Sequence, residues 1–203
     1  MRVLGISGSL RRDSFNSALL RAAAERLPAG AELVEFGRLG EVPPYDEDAE
    51  AAARPAEIGQ GGVAATGLDA VHELREAIRD ADAVLIATPE YNHSIPGQLK
   101  NALDWVSRPA GKSALNGKPA AAIGASTGMF GAVWAQAETR KVLGALGGRV
   151  VEAELPVAHA HELMVDGRLE LPPEQAERLE ELLAELVAAA EQLQEEAELT
   201  VAA

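Results

Sequence analysis

The segment Ala83-Val84-Leu85-Ile86-Ala87-Thr88 is apolar almost without interruption. It lacks the polar/apolar alternation of a strand with one wet face. It reads as a strand buried on both sides, a condition met in a parallel sheet that has helices above and below. The remaining patterns fit that frame. Strands are expected at 2–7, 31–36, 83–88, 120–125 and 149–152. Helices are expected at 14–27, 69–80, 96–106, 132–146 and 173–198. Ser14 is a candidate N-cap for the first helix and Pro28 its stop. Val71, Leu74, Ala77 and Ile78 share one face of the second. Strands and helices in alternation imply an α/β fold, a three-layer α/β/α sandwich around a five-stranded parallel sheet in the order 2-1-3-4-5.

One domain over residues 1–203 accommodates all of this. Residues 50–67, rich in Ala and Gly and interrupted by Arg54-Pro55 and Gly59-Gln60-Gly61-Gly62, read as a surface insertion. Residues 173–198 read as a long acidic C-terminal helix with Leu179, Leu182, Leu183, Leu186 and Val187 on one face.

In a sheet wound this way, ligands sit beyond the carboxyl ends of the strands where the winding reverses. The loops there follow strands 1, 3 and 4: residues 8–16, 89–96 and 126–131. These are also the segments with unusual chemistry. Gly8-Ser9-Leu10-Arg11-Arg12-Asp13-Ser14-Phe15-Asn16 leads from a strand into a helix start. Unpaired N–H groups and the helix dipole favour an anion there, and Ser, Asn and Arg side chains add donors. A phosphate monoester suits this cradle. The chain has no GxxxxGK[ST], which removes P-loop nucleotide hydrolases, and its first turn lacks GxGxxG.

Composition narrows the classes further. With no cysteine, disulfide scaffolds, thiolate metal sites and Cys nucleophiles are excluded. A net charge of −14 argues against nucleic acid and anionic membrane surfaces as partners. No apolar run is long enough to span a bilayer, and Met1-Arg2-Val3 enters a strand directly, so a cytoplasmic location is expected. His159 and His161 lie two apart, but no second cluster supplies further ligands, so no metal is expected.

Gly8-Ser9-Leu10-Arg11 with Ser14 and Asn16, followed by Pro89-Glu90-Tyr91-Asn92-His93-Ser94-Ile95-Pro96-Gly97 and Leu99-Lys100-Asn101-Ala102-Leu103-Asp104-Trp105, resembles the NADPH-dependent FMN reductase family. The resemblance spans about residues 3–151 and implies a flavodoxin-like fold with FMN as cofactor and NAD(P)H as co-substrate. By the same resemblance, Ser9, Arg11, Ser14 and Asn16 would hold the FMN phosphate. Pro89, Glu90, Tyr91 and Asn92 would shape the loop beside the ring and ribityl chain. Ser126, Thr127 and Gly128 would reach the pyrimidine edge. Gly128 and Gly131 have no Cβ to obstruct such an approach.

The implied activity is ping-pong hydride transfer from NAD(P)H to FMN and on to a flavin, quinone, azo compound or metal oxyanion. Because the cofactor carries that chemistry, no catalytic side chain is expected, and Glu90 is not needed as a base. An electron carrier of the flavodoxin kind, without a nicotinamide site, is the alternative. A homodimer or homotetramer is implied, with the helix from Leu99 to Val106 as a candidate contact, although its apolar spacing also suits the core. Phe130 and Trp134 have two readings, covering the flavin or packing under it, and core packing is the safer expectation.

Overall fold

The fully apolar strand lies at the centre of the sheet, as its composition requires. The computed structural model describes residues 1–57 and 67–201. Strands β1 (Arg2–Ser7), β2 (Glu32–Glu35), β3 (Ala83–Thr88), β4 (Pro119–Ala125) and β5 (Arg149–Val150) pair in parallel in the order β2-β1-β3-β4-β5. Every residue of β3 and β4 is buried. The wound order places the reversal between β1 and β3, so the loops leaving those strands meet at one rim.

Helices cover both faces. On one side, α1 (Phe15–Ala24) and α6 (Pro173–Val201) bury Leu19, Leu20, Leu179, Leu182, Leu183 and Leu186 against β1, β3 and β4. On the other side, α2 (Glu47–Glu57), α3 (Asp69–Asp80), α4 (Gly97–Val106) and α5 (Val133–Ala145) meet Leu4, Ile6, Val84 and Ile86. Each fully buried Leu or Ile is worth about 1.5–3 kcal/mol, so these two layers carry most of the stabilisation. Leu99, Ala102, Leu103 and Val106 face this core, so the apolar side of α4 is not available as a subunit contact. Lys100 and Asp104 pair on its outer side at 2.6 Å.

Residues 50–57 of the expected insertion are helical and belong to α2, whose Ala53 packs in the core. The acids Glu47, Asp48 and Glu50 in its first turn favour that helix start. The Gly59-Gln60-Gly61-Gly62 segment lies outside the described residues. The loop before α2 is fixed by Asn101, whose Oδ1 accepts from the Tyr45 amide at 2.7 Å and whose Nδ2 donates to the Pro43 carbonyl at 2.8 Å. Trp105 Nε1 donates to the same carbonyl at 2.8 Å. Burial, then the hydrogen bond to Glu50, pushes the Tyr45 phenol up from its ordinary value.

The fifth strand is split. Val150 pairs with Ala120, and Pro156, in β6 (Pro156–Val157), pairs with Gly124. More residues lie between Val150 and Pro156 than between their partners, so the outer strand bulges. The bulge leaves the Leu155 N–H without a ladder partner, and the buried Gln136 side chain supplies one at 2.9 Å. Gln136 Nε2 donates in turn to the Gly131 carbonyl at 3.1 Å. A small antiparallel hairpin, β7 (Met164–Val165) with β8 (Arg168–Leu169), precedes α6.

Gln136→Leu keeps the bulk and removes both bonds. Two buried main-chain groups then lack partners, and unfolding free energy is expected to fall by about 2–4 kcal/mol. Calorimetry should show a Tm lowered by about 5–15 °C.

Candidate functional site

The three loops converge at the carboxyl rim of the sheet. The first, loop 1, leaves β1 with the Gly8 amide bonded to the Ala87 carbonyl at 2.8 Å. A Cβ on Gly8 would lie 2.9 Å from Leu99 Cδ2 and 3.3 Å from Pro89 Cδ, so glycine allows loop 1 to approach the third-strand loop, loop 3. Ser14 is buried with an extended backbone, and its Oγ accepts from the Asn16 and Ser17 amides at 3.1 and 3.2 Å. It is therefore the expected N-cap. Two of the N–H groups that could serve an anion are thereby satisfied internally. The amides of Leu10, Arg12, Asp13 and Phe15 have no hydrogen-bond partner among the described residues. The exposed Arg11 guanidinium sits 5.2 Å over the Phe15 ring.

Asn16 does something its sequence position does not reveal. Its Nδ2 donates to the Ala125 carbonyl at 3.0 Å and its Oδ1 accepts from the Ala125 amide at 2.9 Å. The side chain is buried and joins the start of α1 to the end of β4, holding loop 1 beside the fourth-strand loop, loop 4. A second hydrogen on Nδ2 remains for other contacts.

Loop 3 contains a two-residue turn. Tyr91 and Ser94 exchange both main-chain hydrogen bonds, at 3.0 and 3.1 Å, while Asn92 and His93 have φ of 53° and 60°. This is the positive-φ pair of a type I′ turn. Glu90 lies between the turn and α5: Oε1 is 3.6 Å from His93 Nδ1, and Oε2 accepts from the Trp134 and Ala135 amides at 3.1 and 3.2 Å. Glu90 thus caps α5, whose own N-cap, Ala132, is left-handed at φ 63° and has no capping side chain.

Loop 4 is tied down by its main chain. The Ser126 amide donates to the Val157 carbonyl at 3.0 Å, and the His159 amide donates to the Gly128 carbonyl at 3.3 Å. A Cβ on Gly131, where φ is 56°, would come within 2.5 Å of the Pro156 carbonyl carbon. The glycine at 131 is required by this internal crossing rather than by a ligand, contrary to the sequence expectation. His159 and His161 lie exposed on the adjoining segment with ring centroids 6.3 Å apart, and His161 faces Glu162 at 3.6 Å.

These loops border a cleft of about 110 Å³. Ser9, Arg11, Ser14, Asn16, Pro89, Glu90, Tyr91, Ser126 and Thr127 line it; Asn92 and Gly128 lie outside the lining. Phe15 and Ala125 also line it and were missed. The signal for Phe15 was its place directly after the cap; Ala125 contributes through a backbone position that no side-chain pattern marks. Small-molecule sites usually enclose about 300–1,000 Å³, so a larger flat ligand would extend onto the rim. That rim carries Tyr91, Met129, Phe130 and Trp134, all well exposed. Phe130 and Trp134 are 52% and 39% exposed, so the expectation of core packing is wrong for both. Their rings stack edge-on at 4.7 Å, and His93 meets Trp134 at 4.6 Å. A larger hollow of about 260 Å³ beside α1 and β8 lies away from the rim and is bordered by the ion pair Arg168–Glu25.

A doubly wound sheet in the order β2-β1-β3-β4-β5 with an open cleft at its switch point defines the flavodoxin-like class. The chain belongs to the NADPH-dependent FMN reductase family, whose model matches residues 1–162. An NAD(P)H-dependent FMN reductase of Pseudomonas aeruginosa is 46% identical over 143 residues, 70% of this chain and 69% of that one. A quinone reductase of Escherichia coli K12 is 38% identical over 143 residues, 70% of this chain and 69% of its own length. Among solved structures, a flavoenzyme NAD(P)H:(acceptor) oxidoreductase from Paracoccus denitrificans superposes with a TM-score of 0.75 at 33% identity, covering 94% of this chain and 97% of that one.

Asn16→Ala should orphan the amide and carbonyl of Ala125 and lower unfolding free energy by about 2–5 kcal/mol in urea titration.

Proposed function

We propose that this chain is an FMN-dependent NAD(P)H oxidoreductase that passes reducing equivalents to small flat acceptors, quinones or flavins foremost. The observation that carries this reading is the match to the family over residues 1–162, on a chain whose three loops border one cleft. The relatives named as reductases favour an enzyme over a flavodoxin-like electron carrier. Azo compounds and metal oxyanions remain within the proposed acceptor range.

The residues present suit FMN. A phosphate with about 1.5–2 negative charges needs donors rather than a base. Loop 1 supplies the free amides, the Ser9 and Ser14 hydroxyls, the Arg11 guanidinium and the positive end of α1. In a chain of net charge −14, this loop carries two arginines, Arg11 and Arg12, against one acid, Asp13. Asn16 would act mainly by setting the spacing of loops 1 and 4. Pro89, Tyr91 and Asn92 would form one wall of the ring site, and Ser126, Thr127 and Gly128 the other, with Glu90 holding α5 beneath that rim. When bound, FMN supplies the redox chemistry between NAD(P)H and acceptor. The protein binds, orients and leaves one approach open, which explains why no acid, base or nucleophile is required of the cleft.

We read residues 1–203 as one domain working in the cytoplasm; no helix among the described residues is long and apolar enough to cross a membrane. A homodimer or homotetramer is proposed, with exposed Met129, Phe130 and Trp134 and residues 159–164 as contact candidates in place of α4. Sedimentation at several concentrations should give a multiple of 21.2 kDa; a monomer throughout removes this part.

The enzymatic reading is tested by absorbance spectra of FMN-loaded protein mixed with NADPH under nitrogen, then with a quinone. Bleaching followed by recovery is expected, and no bleaching would favour the carrier. Arg11→Ala should raise the FMN dissociation constant about 10–100-fold through loss of a charged donor.

A further inference from the structure

The type I′ turn at Tyr91–Ser94 lends Tyr91 to the cleft wall, and it has no glycine at either central position. Both central positions need positive φ, which Asn tolerates and Gly accepts freely; this turn has His93 at the second, with φ 60°. His93 itself meets the Trp134 ring at 4.6 Å and lies 3.6 Å from Glu90 Oε1. The group that hydrogen-bonds the closing end of the turn is Glu138, on the second turn of α5. Glu138 Oε2 accepts from the Ser94 hydroxyl at 2.5 Å and from the Ile95 amide at 3.4 Å. From the opposite direction, Glu90 leaves loop 3 to cap the start of α5. Two carboxylates therefore cross between the same two segments. Ile95, packed against Ala132 and Ala135, fills the space between them.

We propose that Glu138 is a positioning residue for the flavin site: it sets the Tyr91–Ser94 turn, and so the wall that Tyr91 presents, while standing outside the cleft lining. The proposal rests on the FMN reading above. It assigns function to a residue that carries no motif and lies 44 positions from its partner. The short contact to a hydroxyl is the charge-assisted kind, about twice as strong as a neutral hydrogen bond.

The test uses the full chain in four forms: wild type, Glu138→Ala, Glu138→Gln and Ser94→Ala. Amide hydrogen exchange is followed without ligand, and FMN affinity is read from quenching of flavin fluorescence. In Glu138→Ala, the Tyr91 and Ser94 amides are expected to exchange about tenfold faster, with FMN bound about tenfold more weakly. Ser94→Ala should reproduce both effects without altering α5, which covers the case in which Glu138→Ala folds poorly. Glu138→Gln keeps an acceptor oxygen and should remain within about threefold of wild type.

Wild-type exchange rates in both Glu138→Ala and Ser94→Ala would overturn the proposal. So would a loosened turn with unchanged FMN affinity, or a Glu138→Gln variant that binds FMN as weakly as Glu138→Ala while its turn amides exchange at the wild-type rate, which would make the charge rather than the turn responsible. Failure of wild-type protein to bind FMN would sink the flavin reading, while the exchange rates would still decide whether Glu138 holds the turn.

Discussion

Two hydrogen bonds between the Asn16 carboxamide and the main chain of Ala125 set the separation of the first and fourth loops. Both groups are buried, so neither has water as an alternative partner, and the bonds act at close to full strength. The bridge spans 109 positions of sequence and links a helix N-terminus to a strand C-terminus. The other features of the rim follow from that fixed frame. Gly8 lets loop 1 approach loop 3 from below, and Gln136 braces loop 4 against the split fifth strand from behind.

Helix α5 shows how local weakness is offset at a distance. It starts after two left-handed residues, Gly131 and Ala132, and carries no capping side chain of its own. An uncapped start leaves several N–H groups without partners. Glu90, from a loop that precedes it by more than forty residues, satisfies two of them and complements the helix dipole. The strained entry persists because Gln136, Glu90 and the crossing of residues 156–158 together over-determine it, and such strain is usually found beside functional sites.

Much of this was legible in advance. The uninterrupted run at 83–88 placed the central strand, and the alternation of strands and helices pointed to a doubly wound parallel sheet, because parallel strands need crossover connections. Ser14 was legible as a cap because its chemistry is local. The misses have physical causes. Residues 50–57 looked like a loop through their Ala, Arg and Pro content, but the acidic first turn and the core contact of Ala53 favour a helix. Phe130 and Trp134 looked like core residues because large aromatic side chains usually bury; here loop 4 presents Phe130 and the first turn of α5 presents Trp134 at the rim.

Sequence alone determined the doubly wound sheet, the three loops that meet at its switch point and the residue types suited to a phosphate and a flat ring. These are encoded by short-range periodicity, local capping chemistry and a dense motif. Tertiary structure alone decided what each polar side chain does there. Asn16 bonds to Ala125, Glu90 to α5 and Glu138 to Ser94, each across tens of residues. A hydrogen bond depends on distance and direction in space, and no spacing along a chain records which carboxylate faces which amide once the sheet has closed.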